Sequence, residues 1–138
     1  MVKRGEIYYD LRYEYPTLGN VDDKLIIILN KIYLPTQDII AVPVATAKTS
    51  RKYNHGCNQR VGIFYLEANK DFFTNNTCVQ LFVLNSGKTI TEEKFQEKLN
   101  SKTMISKGIL KSETIIKLVK CITDLKDDIP EFLHPFLF

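Results

Sequence analysis

Residues 24–30 read Lys-Leu-Ile-Ile-Ile-Leu-Asn. The run is near-continuously aliphatic, and its length and β-branching suit a strand covered on both faces. Upstream, residues 5–11, Gly-Glu-Ile-Tyr-Tyr-Asp-Leu, read as a first strand opened by a glycine. A polar, aromatic loop from Arg12 to Asp23 separates the two, with Pro16 and Gly19 as turn residues. Downstream, Pro35 breaks the chain and residues 38–46, Asp-Ile-Ile-Ala-Val-Pro-Val-Ala-Thr, form a third strand. Pro43 removes a ladder donor, which predicts an edge or a bulge there.

The same pattern continues. Residues 61–67 and 77–84 predict strands, separated by a polar, turn-like stretch. Residues 47–60 predict a loop rich in Lys, Arg, Asn and Gly. Asn85-Ser86-Gly87 turns the chain, Lys88–Ile90 offers a short strand, and residues 105–110 offer another. After Thr91 the character changes. Thr91 is an N-cap with acids in the first turn, predicting a short helix to about Leu99. Ser112 predicts the cap of a second helix, in which Ile115, Leu118, Val119, Ile122 and Leu125 recur at helical spacing. Asp127-Asp128-Ile129-Pro130 ends it. The apolar tail Glu131–Phe138 reads either as a segment packed on its own domain or as a partner contact. Strands followed by a C-terminal helix predict one mainly β (α+β) domain over residues 1–138, a small, partly open barrel closed by the helix.

Composition bounds the function classes. At 138 residues, with 44% apolar and 25% charged residues, the chain suits one soluble domain with its own core. Eight Phe and seven Tyr, many in β-branched runs, favour strands. A formal charge of +3 permits nucleic-acid binding without arguing for it. Cys57, Cys78 and Cys121 are odd in number and widely spaced, unlike a disulfide framework, and no CxxC pair suggests zinc. Cys78 and Cys121 fall on apolar patterns and read as buried thiols; Cys57 lies in a polar loop. The N-terminus has no apolar signal region and no run is long enough to span a bilayer, which predicts a cytoplasmic protein.

The serial order of these elements resembles one family. Lys3-Arg4-Gly5-Glu6-Ile7-Tyr8 is similar to the opening strand of the MazF/PemK toxins, typically Lys-Arg-Gly-Asp/Glu-Ile-Tyr. Leu25–Asn30 resembles the family's second strand and Val42-Pro43-Val44-Ala45-Thr46 its third. Lys88-Thr89-Ile90, followed by Glu93-Lys94-Phe95, resembles its Arg-Thr-Ile-Asp-Lys-x-Arg-Leu segment, and the last helix sits where the family has one. The resemblance covers about residues 2 to 126. It implies an SH3-like β-barrel of five to seven strands that forms a homodimer. It implies a metal-independent endoribonuclease, needing no cofactor, that cuts single-stranded RNA at short sequences. It also implies a type II toxin neutralised by an antitoxin protein. The chain departs from the family between Thr17 and Lys24: the family's catalytic arginine aligns with Asp23, or with Lys24 if the gap shifts by one. The family's catalytic threonine or serine aligns with Thr46, and an Arg-x-Asp pair found in some members aligns with Val83 and Asn85.

Metal-free RNA cleavage uses the neighbouring 2′-hydroxyl as nucleophile, with a base, an acid and cations that offset phosphorane charge. The candidate catalytic residues are therefore Thr46, to hold the scissile phosphate, Lys24 or Arg51, to neutralise charge, and His55, as acid or base. Candidate RNA contacts are Lys48, Thr49, Ser50, Lys52 and the stackable Tyr53, with Arg60 and Lys88 for phosphates. The stretch from Lys48 to His55 reads equally as a solvated surface loop, and His134 reads as structural. A domain that keeps the fold and binds nucleic acid or a protein without cleavage is the alternative, and a barrel resembling the family by convergence is a third reading.

Overall fold

Among the described residues seven strands form one antiparallel sheet, ordered from edge to edge Gly56–Asn58, Ile63–Leu66, Thr77–Gln80, Ala41–Thr46, Val21–Ile28, Glu6–Glu14, Met104–Ile109. The computed structural model describes residues 2–16, 21–31, 37–47 and 53–138. The strands are β1 (Glu6–Glu14), β2 (Val21–Ile28), β3 (Ala41–Thr46), β4 (Gly56–Asn58), β5 (Ile63–Leu66), β6 (Thr77–Gln80) and β7 (Met104–Ile109). The helices are α1 (Glu92–Asn100), α2 (Ser112–Asp124) and the short α3 (His134–Leu137). The mainly β class and the helix after the sheet are as the sequence predicts.

Alternation along the strands gives each face its own core. Ile7, Ile27, Leu29, Val42 and Val44 point to one face, where Leu118 and Ile122 of α2 cover them. Leu133 and Leu137 complete this cluster, so the apolar tail packs on its own sheet. His134 serves that packing, with Nε2 2.9 Å from the Ile129 carbonyl oxygen. Tyr8, Tyr13, Ile26, Ile28 and Ala41 point to the opposite face, where Phe95 of α1 is fully buried among them. Burying a side chain of that size stabilises by about 1.5–3 kcal/mol. The expectation of a strand covered on both faces at residues 24–30 holds for Ile26, Ile27, Ile28 and Leu29, all fully buried.

Pro43 differs from its expected edge position. β3 is an interior strand, but its ladders are split: residues 41–43 pair with β2, and residues 44–46 pair with β6. Proline therefore stands where the strand changes partner. On β1, Asp10 pairs with Lys24 and Tyr13 with Asp22, so Leu11 and Arg12 together oppose Asp23. This bulge turns Asp10 and Tyr13 to one face, although residues three apart on a regular strand face opposite ways.

Other boundaries shift for local reasons. Residues 81–86 wind into 3₁₀ turns instead of extending β6, with the Phe82 N–H donating to the Gly62 carbonyl. Of the Lys88–Ile90 strand only one bridge remains, Ile39 with Ile90. β4 lies inside the expected 47–60 loop. Thr91 caps α1 as predicted, accepting from the Lys94 N–H at 3.1 Å, whereas the cap of α2 is Lys111, one residue before Ser112. Cys57 and Cys121 are joined by a disulfide between β4 and α2, which corrects the reading of Cys121 as a buried thiol. Cys78 is buried, as expected.

Candidate functional site

Past Pro43 the β2–β3 ladder ends, and a cleft of about 430 Å³ opens between the two strands. Asp23, Leu25, Val44, Thr46 and Thr77 line it, with Phe72–Asn75 as the far wall. Thr46 is exposed, ends β3 and pairs with Thr77. Continuing the Ile26–Pro43 register, in which paired numbers sum to 69, sets Asp23 across from Thr46. The Tyr9 hydroxyl donates to the Asp23 carboxylate. That bond, with the neighbouring Asp22, holds Asp23 below the usual carboxylate range and raises Tyr9 above the usual phenol range. An ionised carboxylate of low basicity accepts hydrogen bonds well and removes protons poorly.

The predicted catalytic residues are only partly assembled. Thr46 and Lys24 border this one cleft. Alternation nevertheless turns Lys24 away from Asp23 and Leu25, and its ammonium lies 5.8 Å over the Tyr15 ring. His55 precedes β4, three strand intervals from β3 in the sheet order. At roughly 4.8 Å per interval the separation is about 14 Å, too far for His55 and Thr46 to grip one phosphate. Its Nδ1 accepts from the Glu67 N–H at 3.2 Å. Arg51, Lys48, Thr49, Ser50 and Lys52 lie outside the described residues.

The predicted RNA contacts are dispersed as well. The Tyr53 ring packs 5.9 Å from Tyr65, in a small cluster with Ile63 and Cys78. Arg60 is exposed in the turn between β4 and β5 and borders neither concavity. Lys88 lies on the opposite face from Thr46, in a wider groove of about 800 Å³ beside α1.

That groove holds charges the sequence reading left unassigned. Lys98 donates to both carboxylate oxygens of Asp10, which also accepts from the Arg12 N–H at 3.0 Å. The Lys88 ammonium sits 3.8 Å over the Tyr13 ring and donates to the Glu14 carbonyl. Burial, and then the nearby Lys98, lowers the Lys88 pKa. Arg12 and Lys94 line the rim. One signal was present: Asp10 interrupts an aromatic and aliphatic strand, and a carboxylate there needs a partner. The bulge that sets its direction has no such mark.

Among the described residues no three His, Cys, Asp or Glu side chains cluster to hold a metal ion. No described helix is long and apolar enough to cross a membrane. Comparison with protein-family models, with curated sequences and with solved structures finds no match to this chain.

Proposed function

We propose that the protein is a MazF/PemK-type endoribonuclease toxin with an SH3-like barrel, cleaving single-stranded RNA at the Thr46 cleft. One observation carries the reading. Thr46, the residue aligned with the family's catalytic hydroxyl, is exposed on the wall of a cleft and directly precedes the cationic stretch of residues 48–52. Its hydroxyl donates to a non-bridging oxygen of the scissile phosphate; the neighbouring 2′-hydroxyl attacks phosphorus, the P–O5′ bond breaks, and the proton given up by the 2′-oxygen is returned through water to the departing 5′-oxygen. Asp23, across the cleft, repels the phosphate; in the sequence the cations available to offset that charge, Lys48, Arg51 and Lys52, follow Thr46. The toxin acts in the cytoplasm as a homodimer and is silenced by an antitoxin protein. Long single-stranded RNA incubated with the purified chain and a chelator tests this. Fragments ending in 2′,3′-cyclic phosphate, lost in Thr46→Ala, are expected; intact RNA at high protein concentration refutes cleavage.

A second reading, RNA binding without cleavage, is favoured by the Asp23 carboxylate that stands where the family carries a catalytic arginine. It predicts salt-dependent RNA affinity with no product, and harmless expression in place of growth arrest.

A further inference from the structure

The α1-side groove contains two half-buried ammonium groups with different surroundings. Lys98 is matched by Asp10, the one ion pair within 4 Å among the described residues. Lys88 has no such partner. Its described contacts are the Glu14 peptide carbonyl and the Tyr13 ring face. A carbonyl and a ring attract a cation without neutralising it. Three carboxylates line the groove, Asp10, Glu14 and Glu97, against four cations, Arg12, Lys88, Lys94 and Lys98. With Asp10 committed to Lys98, Arg12, Lys88 and Lys94 outnumber the two remaining carboxylates.

We propose that this groove is a phosphate-binding site, with Lys88 as the central donor and Arg12 and Lys94 as rim donors. It lies on the opposite face of the sheet from the Thr46 cleft and does not depend on RNA cleavage there. The Lys88 ammonium has three donors, and the Glu14 carbonyl takes one. A phosphate oxygen takes another and supplies the missing negative charge. The Thr91 hydroxyl, which accepts from the Lys94 N–H, keeps its own proton to donate. At about 800 Å³ the groove is large enough for a nucleoside monophosphate as well as a bare phosphate group. The phosphate belongs either to a free phosphate ester or to a nucleic-acid backbone.

Amide NMR titrations of the full chain with inorganic phosphate, adenosine 5′-monophosphate and a short single-stranded oligonucleotide, at matched ionic strength, test the site. Saturable shifts at residues 12–14 and 88–94 are expected. Saturation by the two small ligands identifies a free phosphate ester; saturation by the oligonucleotide alone identifies a backbone phosphate. Lys88→Met should weaken binding about tenfold or more, since a charge-assisted donor is lost. Lys94→Ala, on the exposed side of α1, should weaken it less and keeps the test valid if Lys88→Met misfolds. Lys117→Met on α2 should leave the titration unchanged, and Thr46→Ala should leave the shifts at residues 12–14 and 88–94 unchanged, whatever it does at its own cleft. Absence of shifts in the groove up to about 10 mM of every ligand, a range that covers even very weak sites, overturns the proposal. Undiminished binding by both folded groove variants, or loss of the groove shifts in Thr46→Ala, also overturns it.

Discussion

Lys98 bonds both carboxylate oxygens of Asp10, at 2.9 and 3.1 Å, and the two partners are unequally buried: 15% of the lysine side chain is exposed against 1% of the aspartate. That inequality predicts unequal mutant costs. Lys98→Met strands a carboxylate inside the protein, a loss of about 3 kcal/mol or more. Asp10→Asn leaves an ammonium that still reaches water, at about 1–2 kcal/mol. The double variant should cost less than the sum. Urea unfolding of the three variants checks this, and equal costs for the two single variants would contradict it.

Thr46 is exposed, so Thr46→Ala should change stability by no more than about 0.5 kcal/mol. Any loss of RNA cleavage in that variant then reports on the cleft itself. A melting temperature measured beside the cleavage assay separates the two effects.

The Cys57–Cys121 bond closes a loop with a sequence separation of 64. Chain-entropy arguments assign such a cross-link about 4 kcal/mol. Cys57→Ser, or reduction by a dithiol, should lower the unfolding free energy by an amount of that order. If reductant leaves the denaturation midpoint of the native chain unmoved, the bridge contributes nothing to its stability.

Gly5 has φ of 91°, and a Cβ there would stand 2.7 Å from Ile115 Cγ1. Gly5→Ala should therefore cost about 1–3 kcal/mol, from backbone strain and from crowding between β1 and α2. Pairing it with Ile115→Ala should relieve the crowding and leave the strain. A double-mutant cycle reads the two parts separately.

Tyr13 is 1% exposed, and its hydroxyl has no hydrogen-bond partner among the described residues. Tyr13→Phe should leave neutral-pH stability unchanged or raise it by up to about 1 kcal/mol. Burial, with Tyr15 and Asp10 nearby, holds this phenol far above its ordinary ionisation range. A raised folded-state pKa in an acid means the folded chain keeps a proton that the unfolded chain releases. The stabilisation is complete below about pH 10, the unfolded tyrosine value, and falls as pH climbs towards the folded value. Tyr13→Phe should flatten that alkaline decline, as followed by circular dichroism beside absorbance at 295 nm.

The class of fold was legible because it rests on short-range pattern. Ile26 to Leu29 could only be buried on both sides, and Thr91 with its following acids could only begin a helix. What escaped depends on partners distant in sequence. β4 is three residues with no apolar alternation, and its pairing with β5 and its bond to Cys121 make it a strand. Pro43 does not say which neighbour each half of its strand will take. Thr46 and Lys24 both border the cleft, and the directions their side chains take follow from register. The Asp10–Lys98 pair joins residues 88 apart, and no local rule connects them.

The extra residue at Leu11–Arg12 has a further consequence for how this chain tolerates change. Every side chain beyond it on β1 owes its inside-or-outside assignment to that one insertion. Removing a single amino acid there would swing the Tyr13 ring towards the side of Tyr9 and Asp23, and Lys88 would lose the aromatic surface beneath it. The strand is thus forgiving in spelling and intolerant in length: substitutions at Leu11 should be mild, while a deletion of either Leu11 or Arg12 should dismantle the groove.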